Sequence, residues 1–401
     1  MDNQGNLIKF IFSIKLIPLI VLWVTFNAQA GETTDETGFV YGLTTDYVYD
    51  DNILRDQSLT LDAFIFRVRP FVGVGWNTEN GTFNLEFTNE TAKYEGSSED
   101  NYSDNELSFN ANLEFTSRHA LDFRSLLLDG HDARGTVFGI GNGRNQQDLD
   151  TFTSNTNEIS YTYGRDDAVG QLIFSYQWAS VDYASRVNPN GEDLTARRDR
   201  DDTGFDVRFT YELSAKTDML ISYDRVERKY DIETGLGNTT DSTLIGLQWE
   251  ATAKTTGRVL IGEQNTDSTL GGLSFDDTVW EVELAWSPKS YSTVTLSTSK
   301  SASPSLGLGT SNNVSTTNLD WAHEWNSSLS TNLLIGKQDE DFLGTGISLS
   351  TDLLSLSLVY ELNDNMRLSV SHDMNDRASN SNLSQFVFDR HVTSLSFNVA
   401  Y

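Results

Sequence analysis

One pattern runs the length of this chain and limits what it can become: apolar and polar residues alternate with a period of two. The final nine residues show it cleanly. Thr393, Leu395, Phe397, Val399 and Tyr401 alternate with Ser394, Ser396, Asn398 and Ala400. Successive side chains of a β-strand point to opposite faces, so this segment has one oily face and one wet face. An earlier stretch repeats the rule. Phe64, Phe66, Val68, Pro70, Val72, Val74 and Trp76 share one face, and Ile65, Arg67, Arg69, Phe71, Gly73 and Gly75 share the other.

The connections between such stretches also alternate. Short turns fall near Asn77–Gly81, Ser117–His119, Gly164–Asp167, Ser214–Lys216, Ala253–Thr255, Ser287–Lys289, Asn326–Ser327 and Asn363–Asn365. Longer polar loops separate them: Glu95–Asn105, Asp129–Thr156, Asp182–Asp202, Asp231–Asp241, Asn265–Ser274, Ser301–Asn313, Asp339–Gly346 and Arg377–Gln385. Short periplasmic turns facing long extracellular loops are the mark of an outer-membrane barrel. The expected fold is therefore an all-β, transmembrane, antiparallel up-and-down β-barrel of about 18 strands, an even number as such chains require. A closing strand that ends on an aromatic also resembles the signal read by the barrel-assembly machinery. No composition shift marks a second domain, so residues 31–401 are expected to form one barrel.

Residues 1–30 read as a signal peptide, with Lys9 and Lys15 before the apolar run Leu16–Phe26 and an A-x-A site at Ala28-Gln29-Ala30. That run is too short for an ordinary spanning helix, which needs about 20 residues. A mean hydropathy of −0.39 suggests a soluble protein. A barrel hides half of each strand from lipid, however, so its average stays low. The formal charge is −30, and residues 1–30 carry a net +1 from Asp2, Lys9 and Lys15, so −31 remains on the mature chain. Such a chain should not seek nucleic acid phosphates. With Cys 0 there is no disulfide, thiolate or Cys metal site, and no cofactor motif or metal-ligand spacing is present.

Aromatics beside the short turns fit a membrane-interface belt: Trp76, Phe115, Tyr163, Tyr211, Trp249, Trp286, Trp325, Tyr360 and Tyr401. A soluble sandwich would leave their clustering at one end unexplained. An arginine or lysine facing lipid at mid-depth costs about 2–4 kcal/mol, so charges should face the lumen. Candidate lumen-lining residues are Arg67, Arg69, Glu86, Glu114, Asp122, Arg124, Asp206, Arg208, Glu281, Glu283, Asp320 and Arg367. The longest loop carries five glycines with His131, Asp132, Arg134 and Arg144, and could fold inward as a constriction or stand outside as a flexible loop. Salt-bridge ladders that brace the wall are the alternative role for any single charge.

Three segments carry a family resemblance. Tyr47-Val48-Tyr49-Asp50-Asp51-Asn52-Ile53-Leu54-Arg55 resembles the first strand and loop of the Putative beta-barrel porin family associated with exopolysaccharide biosynthesis and export. Trp280-Glu281-Val282-Glu283-Leu284-Ala285-Trp286-Ser287-Pro288-Lys289, running on to Lys300, is similar to a later signature, with Lys289 and Lys300 where arginine is expected. His131-Asp132-Ala133-Arg134-Gly135 resembles a third piece. The resemblance implies an outer-membrane channel for a secreted polysaccharide, with a periplasmic polysaccharide-export protein and the polymer itself as partners. Outer-membrane lipid and lipopolysaccharide are expected around it.

A passive-diffusion porin or a mainly structural barrel is the alternative, and an enzyme is not expected. Of the histidines His119, His131, His323, His372 and His391, only His131, beside Asp132, is placed for chemistry, and sequence neighbours rarely form a working dyad. An acidic lining should favour neutral or cationic solutes over polyanions.

Overall fold

Alternation of this kind lets every strand bury one face only if the sheet curls and closes. The computed structural model describes residues 37–401, apart from 165–167, 188–189, 233–234, 270–273, 305–307, 310 and 382–383. The expected signal peptide, 1–30, lies outside the described residues. The strands are β1 (Gly38–Asp50), β2 (Ala63–Thr78), β3 (Gly81–Tyr94), β4 (Tyr102–Thr116), β5 (His119–Asp132) and β6 (Asp150–Tyr163). Then come β7 (Gly170–Tyr183), β8 (Arg200–Ser214), β9 (Thr217–Tyr230), β10 (Asn238–Thr252), β11 (Thr255–Ser268) and β12 (Ser274–Lys289). The last six are β13 (Ser292–Pro304), β14 (Ser311–Asn326), β15 (Leu329–Phe342), β16 (Ile347–Asn363), β17 (Met366–Ser379) and β18 (Phe388–Ala400).

Each strand pairs antiparallel with its sequence neighbours, and β18 returns to β1, so the 18-stranded sheet is a closed barrel. The seam runs in register from Gly42↔Ala400 to Asp50↔Val392. Reciprocal backbone bonds of 2.9 Å between Tyr41 and Tyr401 finish it at the short-turn end. Eighteen strands about 4.8 Å apart and tilted about 40° make a cylinder roughly 35 Å across between backbones.

Burial identifies the concave face. On β10 and β11, Leu244 and Leu260 are 6 % and 2 % exposed, while their neighbours Ile245 and Ile261 are 52 % and 55 % exposed. The convex face is the apolar one, as lipid demands. The concave face packs large against small: Leu220 pairs with Gly246, Gly246 with Leu260, and Leu244 with Gly262. A Cβ on Gly246 would sit 1.9 Å from the Val259 carbonyl oxygen, and one on Gly262 would sit 1.8 Å from that of Thr243. Only glycine lets these two backbones approach so closely.

The short turns share a construction. Glu114, Glu212, Glu250, Glu324 and Glu361 are each followed by an apolar residue and then by Thr116, Ser214, Thr252, Asn326 or Asn363, where the pairing register shifts by a bulge. The bulge raises local twist so that a tight turn fits the strands. The hydroxyl or amide oxygen after it accepts the N–H two residues on, at 3.2, 3.4, 3.1, 2.8 and 2.9 Å in chain order. Each glutamate N–H bonds the carbonyl of the preceding turn at 2.8 to 2.9 Å, so adjacent turns are tied into a rigid rim.

Loop boundaries differ from the sequence expectation. The longest loop spans 133–149 rather than Asp129–Thr156, because β5 runs on to Asp132 and β6 begins at Asp150. Other strands also extend into segments that read as polar loop. Strands of 13 to 17 residues exceed the 9–11 that cross a bilayer. Hydropathy reports the part in lipid, whereas pairing continues above it in water.

Candidate permeation path

Cross-strand register places the lumen candidates. Arg67, Arg69, Glu86, Glu114, Asp122, Arg124, Asp206, Arg208, Glu281, Glu283, Asp320 and Arg367 all fall on the concave face. Arg67 pairs with Asp46, Asp122 with Asn112, Arg124 with Glu158, Asp206 with Asp224, Glu283 with Arg258, and Arg367 with Glu361.

Some of these come together. Arg258 bonds Glu281, and Arg367 reaches Glu361 at 2.6 Å. Asn112 donates to Asp122 at 2.7 Å, and Arg208 lies 3.8 Å from Asp206 on the same strand. Arg124 and Asp320 are exposed on the concave face. Neither has an ion-pair partner among the described residues. Glu114, Glu212, Glu250 and Glu324 also lack an ion pair among the described residues. With Glu361 they form a ring of five inward carboxylates at the short-turn mouth, one per repeated turn.

A network braces the seam above this ring. Arg67 Nε donates to Asp46 at 2.8 Å and its Nη1 lies 3.7 Å from Glu90, which also takes Arg69 Nε at 2.7 Å and the Tyr102 hydroxyl. Ser396 donates to Asp46 at 2.5 Å, and Arg390 Nη2 donates to Asp50 at 2.5 Å. Polar side chains thus connect β18, β1, β2, β3 and β4 across the place where the barrel closes.

The external mouth is organised by the β5–β6 loop, 133–149. Arg134, 6 % exposed, donates to Asp100 at 2.6 Å and to the Gln146 carbonyl at 3.2 Å. Its own carbonyl accepts Arg55 Nη1 at 2.6 Å. Burial alone would lower the Arg134 guanidinium, but its bond to Asp100 and the charges of Asp100 and Glu99 raise it above its ordinary value. Glu99 is held below the usual carboxylate range by a backbone N–H bond, helped by Arg134. Arg144 lies 3.4 Å from Asp56 in the β1–β2 loop.

A Cβ on Gly143 would fall 2.2 Å from the Leu54 carbonyl oxygen, and one on Gly141 would fall 2.7 Å from the Phe386 ring. Glycine here permits contact with the β1–β2 and β17–β18 loops. The loop therefore lies over the mouth across the sector that runs from β6 back through β1 to β17, fastened to its neighbours by the buried Arg134–Asp100 pair and by Arg144–Asp56. His131 and Asp132 do not act together. His131 Nδ1 is 3.0 Å from both oxygens of Asp104, whereas Asp132 takes the Tyr183 hydroxyl at 3.0 Å. Beside them a cavity of about 350 Å³ opens between β4 and β5, lined in part by Tyr102, Asp104, Asp129, His131 and Asp148. It sits where the β4–β5 ladder stops, at Asn105↔Asp129.

Sequence reading missed Asp46, Asp50, Glu90, Tyr102, Asp100 and Arg390. They lie in or beside polar stretches, and Asp50 and Arg390 are 340 residues apart, so no local spacing announces them. The repeated Glu–apolar–Ser/Thr/Asn turn was readable and is the one signal that would have marked the carboxylate ring. The aromatics Trp76, Trp249, Trp286, Trp325 and Tyr401 lie on the convex face or its edge beside short turns. Trp286 and Trp325 are 53 % and 56 % exposed. Trp76 stacks on Phe83 at 5.1 Å, and Tyr401 stacks on Tyr41 at 5.8 Å. No group of three His, Cys, Asp or Glu among the described residues is placed to hold a metal.

The family model described as Putative beta-barrel porin 2 matches residues 41–401. The chain belongs to this family. It is therefore a porin-type barrel of the Gram-negative outer membrane, with its short turns in the periplasm and its long loops outside. OpdO of Pseudomonas aeruginosa is 11% identical over 92% of this chain and 97% of that one, with a TM-score of 0.51. OccAB3 of Acinetobacter baumannii is 11% identical over 91% and 99%, with a TM-score of 0.50. A point mutant of the ferric enterobactin receptor PfeA of Pseudomonas aeruginosa is 8% identical over 91% and 81%, at 0.51. At such identities the likeness is one of fold. No curated protein is significantly similar in sequence.

Proposed function

We propose that this porin is the outer-membrane conduit through which a neutral or weakly cationic exopolysaccharide leaves the cell. The observation that carries the reading is the charged and polar concave wall, interrupted on β9–β12 by the Leu220, Leu244, Leu260 and Val279 cluster, that runs from the five-carboxylate ring in the periplasm to the fastened loops outside. An 18-stranded barrel is wide enough for an aqueous channel. Excess carboxylates along that wall disfavour polyanions and tolerate uncharged hydroxylated chains. The lumen candidates line the path in this reading, and the β5–β6 loop with His131, Asp132, Arg134 and Arg144 narrows the exit. A periplasmic polysaccharide-export protein delivers the polymer, the barrel-assembly machinery inserts the chain, and lipopolysaccharide surrounds its outer half. No catalytic step is assigned to it.

Passive diffusion of small solutes is the second reading. It is favoured by the mixed-sign wall, where Arg67, Arg69 and Arg124 could pass anions beside the acids. Single-channel recording separates the two. Added neutral dextran should block the open current from the periplasmic side under the export reading. A barrel that passes small ions yet never responds to polymer, in a strain whose polymer secretion survives its deletion, overturns it.

A further inference from the structure

The periplasmic rim carries a charge pattern that neither lipid nor lumen explains. The β4–β5, β8–β9 and β10–β11 turns present Arg118, Lys216 and Lys254 at their tips, and β12 ends on Lys289. All four are exposed. The tips of the β2–β3, β14–β15 and β16–β17 turns present Glu79, Ser327 with Ser328, and Asp364 instead. Arg165, in the β6–β7 turn, lies outside the described residues. In a chain with 58 acidic and 28 basic residues, these four cations lie along an arc from β4 to β13, with the β6–β7 turn between the first two, and the other turn tips among the described residues carry none. Neighbouring tips are two strands apart, roughly 12 Å along the rim. The backbone bonds between turns hold that spacing, with Arg118 accepting from Gly164, Lys216 from Glu250 and Lys254 from Ser287, at 2.8 to 2.9 Å.

We propose that this arc is the docking surface for the acidic face of a single periplasmic protein that sits off the barrel axis. Lipid surrounds a barrel evenly, so phosphate anchoring would call for cations all round the rim. Lys289 also lies three residues beyond Trp286, roughly 8 Å further along the membrane normal and at the limit of the headgroup layer. A polyanionic polymer does not fit either, because Glu114, Glu212 and Glu250 stand on the lumen side of the same turns and would repel it one step further in. A protein with an acidic edge and no need to enter the lumen satisfies both constraints.

The arc itself rests only on the outer-membrane orientation; the secretion readout also rests on the export reading. A photo-crosslinking amino acid at Lys254, in the full-length protein in its host, should give a protein adduct, and the same probe at Ser327 should not. R118E, K216E and K289E together should abolish the adduct at position 254. Equal adducts at both positions, no adduct at all, or an adduct indifferent to charge reversal would overturn the proposal.

In the same cells R118E/K216E/K254E/K289E should lower secreted polymer roughly tenfold, as expected for losing several rim attractions of modest size. Conductance in phosphatidylcholine bilayers at about 1 M salt, where rim charge is screened within about 3 Å, should stay at the parent value. Should that variant not fold, R118Q/K216Q/K254Q/K289Q replaces it with the same expectation in milder form. Loss of insertion confined to vesicles containing phosphatidylglycerol would assign the arc to lipid and overturn the proposal. Unchanged secretion in cells lacking the barrel would defeat the export reading alone, leaving the crosslink to decide the arc.

Discussion

Arg67 shows how one side chain can serve both wall and path. Its guanidinium joins Asp46 on β1 to Glu90 on β3, and the Asp46 side chain is 8 % exposed. Truncating it leaves the poorly solvated Asp46 carboxylate without a counter-charge and Glu90 with Arg69 alone, which costs about 2 kcal/mol. Arg67→Ala should therefore lower the midpoint of urea unfolding in lipid vesicles, whereas Arg124→Ala, with no ion pair to lose, should leave it in place. Arg134 makes the companion case at the external mouth. Glu99 is depressed in the folded protein, so its contribution is complete above the unfolded carboxylate range near pH 4 and is lost as pH falls through its folded value. Protease cleavage within 133–149 should therefore rise below about pH 4, and Arg134→Ala should produce the same cleavage at neutral pH.

At the level of the strand, period-two alternation was enough to assign faces, because lipid imposes a rule on every second residue. Phe64, Phe66 and Val72 obey it locally, with no help from distant contacts. Strand ends obeyed another rule. Asp132 and Asp150 read as loop because they are polar, yet they extend the ladder beyond the bilayer, where the Tyr183 hydroxyl meets Asp132 and Arg186 and Arg198 meet Asp150. The loop clasp was illegible for a different reason. Gly143 is a glycine because of the Leu54 carbonyl, some ninety positions away, and nothing near Gly143 in sequence says so. The glycine pair on β10 and β11 tests how tightly the concave face is built. Gly246→Ala should place a methyl against the Val259 carbonyl and cost about 1–3 kcal/mol. It should be read as a lower fraction of heat-resistant folded barrel on semi-native gels, with Gly38→Ala, which has open space around it, as the neutral control.

For the whole molecule, charge decides what the cylinder admits. The five glutamates at the periplasmic mouth recur because the turn that carries them recurs, so one local motif copied five times becomes a collar of negative potential. Replacing Glu114, Glu212, Glu250 and Glu324 by glutamine should reduce cation over anion preference severalfold in reversal-potential measurements at low salt. Salt near 1 M should erase most of the difference, where screening acts within about 3 Å. The hydroxyls and amides that cap the turns are untouched by these changes, so folding yield should hold. The seam has a consequence for biogenesis. Tyr41 and Asp50 can be fastened only when Tyr401 and Arg390 arrive, and those sit on the eighteenth strand, at the opposite end of the barrel sequence from the first. Until then the growing wall has two raw margins, each able to recruit a stray strand from another chain. Damage to the final dozen residues should spoil the first strand as surely as the last, and would leave behind an open, adhesive half-pipe.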